Sequence, residues 1–344
     1  MEVKTALNFD LGNYLLNLIA FLLILISIKI IFAKDLLAAV IASSVFSLLI
    51  GVSYLIMDAP DVAMTEAALG ACLSTCVYLN LLRKLPPDLK NIDRTNIIPA
   101  SLICLLFVVT LAYMGLELPN YGDDNAPIHM YSSKYYLENT SRDIGVPSFV
   151  AAILASYRAY DTLGETSVIL IAGIAVLLVF SKKFEEVDSR FRGNDINGKR
   201  NDTILKAYPI IKYITSFIIP YIILYSIYIQ LNGESSPGGG FQAGVIFASS
   251  LIAYDLVYGN RKLSRYFPPN VLICIAVLGV AIYAIVGTIS FFFNDNYLNY
   301  YSLTNFINDK LLAQHIAIVI VEIGIGLTVS AIMYLIYNVF NNYE

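Results

Sequence analysis

Carboxylates embedded in apolar sequence are the residues of this chain with chemistry to offer. The stretch DAPDVAMTEAALG, residues 58–70, opens an apolar run with Asp58 and Asp61 at its mouth and Glu66 eight residues beyond Asp58. In a helix that places Glu66 about 12 Å deeper. A charge at the centre of a membrane helix costs at least about 2.5 kcal/mol, so such a carboxyl must be protonated, paired or wetted, and it marks an ion or proton pathway. Asp58 and Asp61 have a second reading, as an N-cap and a helix-dipole partner around Pro60. In AYDTLGET, Asp161 and Glu165 are four apart and share a helix face, with Arg158 three residues upstream able to pair with Asp161. In QHIAIVIVEIGIGLTV, Glu322 lies two turns beyond His315 on one stripe, an arrangement in which an imidazole and a carboxyl can pass a proton. Lys29 and Asp255 fall near the ends of apolar runs, where snorkelling or capping accounts for them. The loop NGESSPGGGFQ carries Glu234 and then Pro237, Gly238, Gly239 and Gly240. It reads as a compact or re-entrant turn whose bare backbone lets another element approach, since no Lys follows and no strand precedes it as a phosphate cradle would require.

The elements that hold these residues follow from composition. The chain has 344 residues, 58 % hydrophobic and only 14 % charged, with a mean hydropathy of +0.68. Lipid is the solvent to expect. Nine apolar runs are long enough to cross a bilayer: 11–33, 36–57, 62–82, 97–115, 164–180, 213–231, 241–258, 271–293 and 311–338. Alternating polarity is absent, so the fold class is an all-α polytopic membrane protein of about nine helices. A net charge of −4 without a polybasic patch excludes a nucleic-acid partner. The four cysteines, Cys72, Cys76, Cys104 and Cys274, sit in apolar runs as small hydrophobes, and neither a metal nor a cofactor is expected. The N-terminus lacks a basic segment ahead of a cleavable core and reads as part of the mature protein.

Lys and Arg distribute unequally between alternate loops. With the N-terminus outside, seventeen fall on the inner side, eight of them between Lys182 and Lys212, and five on the outer side, namely Lys4, Lys134, Arg142, Arg158 and Lys310. The C-terminus is then cytoplasmic. Residues 117–147, with Pro119, Pro127, Pro147 and the Asp123–Asp124 pair, read as an outer surface loop with little helical pattern. Residues 181–208 read as a hydrophilic cytoplasmic linker, and SRFRGNDINGKRND within it resembles peptides encoded by short palindromic elements inserted into bacterial genes. Residues 148–180 are too long for one perpendicular span, so an amphipathic helix over 149–160 is expected to break near Arg158, Asp161 and Gly164 before the fifth span.

DAPDVAMTEAALG resembles the C-terminal part of the large subunit of Mrp-type, or Mnh-type, sodium/proton antiporters and the matching subunit of membrane-bound hydrogenases. VAAILASYRAYDTLGET resembles the small subunit that follows in those operons, and PGGGF with QHIAIVIVEIGIGLTV resembles the MnhB family. The resemblance divides the chain into a three-span module at 1–90, a two-span module at 91–180 with its outer loop and surface helix, the linker at 181–208, and a four-span MnhB-like module at 209–344. It implies a non-catalytic subunit of a multisubunit sodium/proton antiporter in a bacterial inner membrane. Its partners would be other antiporter subunits and lipid, its ions Na⁺ and H⁺, and Glu66, Asp161 and Glu165 would serve transit. Where the family pattern G-H-x-x-P-G-G-G-F has histidine, this chain has Glu234, for which a cation-attracting role is expected. A membrane-arm subunit of a hydrogenase or Complex I-like oxidoreductase, and a purely structural scaffold, are the alternatives. The loop charges predict that reporter fusions after Asn197 and Tyr343 read cytoplasmic and one at Asn125 reads external; a cytoplasmic signal at Asn125 would overturn the nine-span arrangement.

Overall fold

The computed structural model describes residues 2–33, 35–82, 97–119, 123, 125–192, 209–258, 260–293 and 295–342. Most of the hydrophilic linker and its insertion-like stretch thus lies outside the described residues. Within them the chain is helical, and nine helices are long and apolar enough to cross a membrane. They are α1 (Glu2–Ile31), α2 (Leu36–Ile56), α3 (Pro60–Leu82), α4 (Ile97–Gly115), α7 (Ala159–Arg192), α8 (Pro209–Asn232), α9 (Gly240–Tyr258), α11 (Pro269–Phe292) and α12 (Lys310–Asn342). The protein is a multi-pass membrane protein.

The helix starts follow from local chemistry. The Asp35 side chain accepts from the Leu37 N–H at 3.0 Å and caps α2. Pro60 and Pro269 occupy the first turns of α3 and α11, where the missing N–H costs nothing. Helix α3 is α-helical to Glu66, π-helical over Ala67–Leu73 and α-helical again from Ser74. Such a widened turn disturbs the carbonyl ladder, and the Ser44 hydroxyl of α2 donates to the Ala71 carbonyl at 2.9 Å there.

Helix α12 is the axis of the bundle. Two thirds of its membrane window is buried, against none for α4 and 6 % for α1 and α2. The surrounding helices reach it through missing side chains. A Cβ on Gly240 of α9 would fall on the Glu322 carbonyl, one on Gly244 would stand 2.9 Å from the Gly326 carbonyl, and one on Gly279 of α11 would meet the Gly324 carbonyl and Thr328. In lipid, with no hydrophobic drive between helices, small residues that let backbones approach are what hold a bundle together. The Thr328 hydroxyl, 0 % exposed, donates to the Ala276 carbonyl across that seam at 3.1 Å.

Contacts fix relative directions. Gly240 faces Glu322 while Asp255 meets Tyr334, so α9 and α12 run parallel. Asp61 meets Gly238 at one end and Asn80 meets Asn341 at the other, so α3 runs the same way. Helix α11 runs opposite, with Ile282 by Gly324 and Ala276 by Thr328, and α7 runs with α12, placing Gly173 by Ile332 and Phe180 by Phe340. The N-terminal ends of α3, α7, α9 and α12 therefore share one face.

One expectation fails on that face. Residues 128–143 are helical rather than an irregular loop: a π-helical turn, Ile128–Ser133, leads into α5 (Lys134–Asp143). Three prolines and five acids interrupt the apolar pattern of residues 117–147, but a stripe ending in Thr140 and Ile144, 0 % and 2 % exposed, gives the helix a face to bury. The following segment, α6 (Phe149–Ala152) extended by the π-helical Ile153–Tyr157, breaks from α7 at Arg158, whose φ of −119° and ψ of 33° leave the helical region. The residues Tyr300–Asn305 form a 3₁₀ turn before α12, and α10 (Asn260–Tyr266) links α9 to α11.

The seam predicts a contrast. Gly279→Ala should destabilise the detergent-solubilised chain by roughly 1–3 kcal/mol, the range for overpacking. Gly164→Ala, whose Cβ meets nothing within 4 Å, should be neutral or slightly stabilising by up to about 1 kcal/mol. Equal melting temperatures for the two variants would contradict the close α11–α12 approach.

Candidate functional site

The loop between α8 and α9 gathers side chains from four elements. Gly233 approaches Gly239 so closely that a Cβ on it would stand 2.7 Å from the Gly239 nitrogen, and Gly239 has φ of 126°, open to glycine alone. The loop folds over α12, and its bare backbone makes room for the Glu322 carboxylate. The Glu322 oxygens lie 3.2 Å and 3.5 Å from where side chains on Gly233 and Gly239 would begin. Glu322 is 6 % exposed, and Glu234 and Asp61 are the acidic groups that act on it electrostatically.

Asp61 reaches the same loop from α3, accepting the Gly238 N–H at 2.7 Å, while the Gln242 amide donates to the Asp61 carbonyl at 3.4 Å. Asp61 is thus a bridge between helices rather than only a favourable charge at the start of its own. Glu234 lies outside the membrane spans, 6 % exposed, and pairs with His315 Nδ1, whose ring is half-exposed. The Glu234 carbonyl accepts from the Ser148 N–H at 2.9 Å, which ties α6 to the loop. Burial raises the Glu234 carboxyl, and His315 beside it pulls it back down. Its second oxygen, Oε1, and the buried Nε2 of Gln230 have no hydrogen-bond partner among the described residues. Two orphaned polar atoms in this region leave room for water or an ion to complete the set.

Alongside opens a cavity of about 420 Å³ lined by Asp143, Tyr157, Tyr160, Tyr300, Tyr301 and Gln314 among others. The Gln314 side-chain oxygen accepts from the Ser156 hydroxyl at 3.0 Å, and Gln314 directly precedes His315. Burial and the Asp143 carboxylate push the Tyr157 hydroxyl up to about 12, so it stays a donor at neutral pH. The cavity lies on the shared N-terminal face and reaches α12 at Gln314; His315 and Glu234 do not line it.

The sequence-predicted residues divide. Asp61, Glu234, Glu322, His315, Pro237 and the three loop glycines come together. His315, expected to serve Glu322 directly, instead pairs with Glu234, and Glu234 stands between them. Glu66 lies apart and half-buried, its carboxylate and the Ser47 hydroxyl converging over Gly70, where a Cβ would be 2.5 Å and 2.6 Å from them. Asp58 is exposed, has φ of 55° and caps nothing; Ala59 is the N-cap of α3 and makes no side-chain bond. The capping reading of Asp58 is therefore wrong: the tight turn from α2 puts it one residue too early. Asp161 and Glu165 share an exposed face of α7, with Arg158 Nε donating to Asp161 at 2.6 Å. They do not touch the cluster. Asp255, assigned to capping or snorkelling, is instead 4 % exposed. Sequence reasoning also passes over Gln230, Gln242 and Gln314, the only three glutamines of the chain, all of which border this site; an uncharged amide inside an apolar helix is the available signal.

Residues 210–335 match a family described as a domain related to the MnhB subunit of Na⁺/H⁺ antiporter, and residues 21–87 match the MbhD family of MBH subunits. A probable K⁺/H⁺ antiporter subunit of Rhizobium meliloti is 24 % identical over 262 residues, 72 % of this chain and 26 % of that one. A Na⁺/H⁺ antiporter subunit of Staphylococcus epidermidis is 31 % identical over 177 residues, 50 % of this chain and 21 % of that one. In the structure of the Mrp complex from a Dietzia species, one chain matches with a TM-score of 0.72 at 21 % identity, covering 94 % of this chain and 34 % of that chain. The fold is shared, and the chain spans about a third or less of these proteins' lengths. Its similarity to the MnhB-related family lies in residues 210–335 and that to MbhD in residues 21–87.

The pair predicts a pH dependence. Folded Glu234 holds its proton more tightly than the unfolded chain does, so its stabilising contribution is full below the ordinary glutamate value and declines as pH rises through it. Melting temperature followed against pH should show that decline, flattened in Glu234→Gln and steepened in His315→Ala, which removes the partner that pulls the Glu234 carboxyl back down. Superimposable curves for all three proteins would contradict the pairing.

Proposed function

We propose that this chain is a membrane subunit of a multisubunit monovalent cation/proton antiporter, in which it supplies part of the ion pathway and the interface between pump subunits. It is a transporter component and not an enzyme. Its ions are Na⁺ and H⁺, its partners the large antiporter subunits and small membrane subunits, and its N-terminus faces outward. The observation that carries the reading is the convergence of Asp61, Glu234, His315 and Glu322 on one glycine loop beside a polar cavity. The names of the matched families and relatives support it.

Chemically, the cluster offers three carboxylates and one imidazole, with two orphaned polar atoms nearby. Protonation of Glu234 and Glu322 makes them neutral, which suits a closed, lipid-surrounded bundle. Loss of those protons leaves acceptor-only oxygens that attract a cation. A site that holds either protons or a cation, never both at full occupancy, has the property an exchanger needs. Movement between the two states requires only small shifts of α3 and α12 against the loop. Glu66, deeper in α3 beside the π-helical turn, continues the path toward the other face. Lysine-bearing pump channels belong to other subunits, because no lysine lies mid-span here. The match of residues 21–87 to the MbhD family favours a second reading, membership of a redox-coupled membrane complex built from the same modules.

The test uses the chain with its co-purifying subunits, reconstituted into vesicles. Gln keeps the shape of Glu but cannot ionise, so Glu322→Gln and Glu66→Gln should each preserve complex yield and lower cation-driven proton movement at least about tenfold, equivalent to roughly 1.4 kcal/mol. Full exchange in both variants at normal yield would remove these residues from the pathway. Copurification of a soluble redox arm would favour the second reading.

A further inference from the structure

Away from this site, the described residues of the bundle hold one more buried carboxylate, Asp255. It lies fifteen residues past Gly240 on α9, about 22 Å along the helix, and its partner Tyr334 lies twelve residues past Glu322 on α12, about 18 Å along. Because α9 and α12 run parallel, this pair stands in the half of the bundle opposite the Glu234–His315 pair.

Neither ordinary explanation of an aspartate near a span end holds. Snorkelling needs access to water, and Asp255 is 4 % exposed while Tyr334 is 0 % exposed. Capping or dipole stabilisation needs a helix N-terminus, and Asp255 sits in the last turn of α9, where the dipole disfavours negative charge. Its carboxylate has one hydrogen bond, from the Tyr334 hydroxyl to Oδ2 at 2.6 Å; Oδ1 is buried with no partner among the described residues. The Tyr334 ring stacks on Tyr337 with centroids 6.5 Å apart. Among the described residues, the other titratable groups that packed elements bring to this half include Cys72, Cys76 and Tyr78 on α3, Lys212 and Tyr213 on α8, Tyr254 and Tyr258 on α9, Arg265 and Tyr266 on α10, and Cys274 on α11. Among the described residues none forms an ion pair with Asp255, and Lys212 lies instead over the Tyr258 ring at 5.7 Å. An isolated carboxyl held by a single donor, with one bare oxygen and no cation, changes its charge with its access to water.

We propose that Asp255, with Tyr334 as its hydrogen-bond donor, is a second proton-exchange site of the segment similar to the MnhB-related family, opening to the face opposite the Glu234–His315 pair. This rests on the transport reading above. In each exchange the Asp255 carboxyl releases one proton to water at that face or takes one up. Tyr334 keeps its own proton and orients the carboxylate.

The test reads protonation separately from transport. In infrared spectra of the purified full chain with its co-purifying subunits, the deuterium-sensitive carbonyl band of a protonated carboxyl should titrate with pH. It should lose one component in Asp255→Asn. In Tyr334→Phe that component should change frequency, since the carboxyl loses its hydrogen-bond donor. Cation-driven proton movement in vesicles should fall at least about tenfold in Asp255→Asn at unchanged yield. Identical infrared titrations in wild type and Asp255→Asn, or undiminished exchange in Asp255→Asn, would overturn the proposal. If Asp255→Asn does not assemble, Tyr334→Phe decides: a component of unshifted frequency would reject it. If wild-type vesicles move no protons, the transport reading fails, while the infrared titration still decides whether Asp255 exchanges its proton.

Discussion

A carboxylate inside a lipid-surrounded helix bundle must find compensation within the protein, and this constraint shapes the region around Glu322. The compensation is made from absence. Gly233, Gly239 and Gly240 present bare backbone, so the α8–α9 loop can fold onto α12 and place Glu234 and Asp61 beside the buried acid. Any side chain at those positions would hold the loop away and leave Glu322 in an open, unmatched pocket. The same economy of volume, at Gly244, Gly279, Gly324 and Gly326, brings α9 and α11 close enough to α12 to bury its length. Site and scaffold thus depend on one feature, close backbone approach along the central helix.

That dependence explains how burial is distributed. Helix α12 carries the polar groups that need partners, and it is the most enclosed. Helices α1, α2 and α4 carry large apolar side chains outward and contribute little to the cluster. Helix α3 links the two regimes: its first turn supplies Asp61 to the loop, and its π-helical turn holds Glu66 against Ser47 and Gly70. The face that gathers the site is also the one covered by α5, α6 and the 3₁₀ turn, whose tyrosines and Asp143 line a polar cavity leading to Gln314.

Much of this is legible in the sequence, for identifiable reasons. Spans are read from uninterrupted apolar length, a local property, and all nine expected runs correspond to membrane-length helices among the described residues. Glu322 and the Pro-Gly-Gly-Gly turn stand out by type. Their union does not, because pairing of Glu234 with His315 depends on how the loop folds over α12, which no spacing encodes. Asp58 is misread because its role turns on a single residue of register at a tight corner. Helix α5 is hidden because prolines and acids around it outweigh its apolar stripe. Asp255 looks like an end residue because depth along a helix says nothing of what packs beside it.

The exchange proposed for this site requires Glu234 and His315 to act as one unit. The direct measurement is a double-substitution cycle on the rate of cation-driven proton movement across a range of pH, using Glu234→Gln, His315→Gln and both together in the assembled complex. If the pair is one unit, the double variant should be no slower than the slower single variant, and all three should share one altered pH profile. Losses that multiply, with each single variant keeping its own pH dependence, would show two independent groups and contradict the site described above.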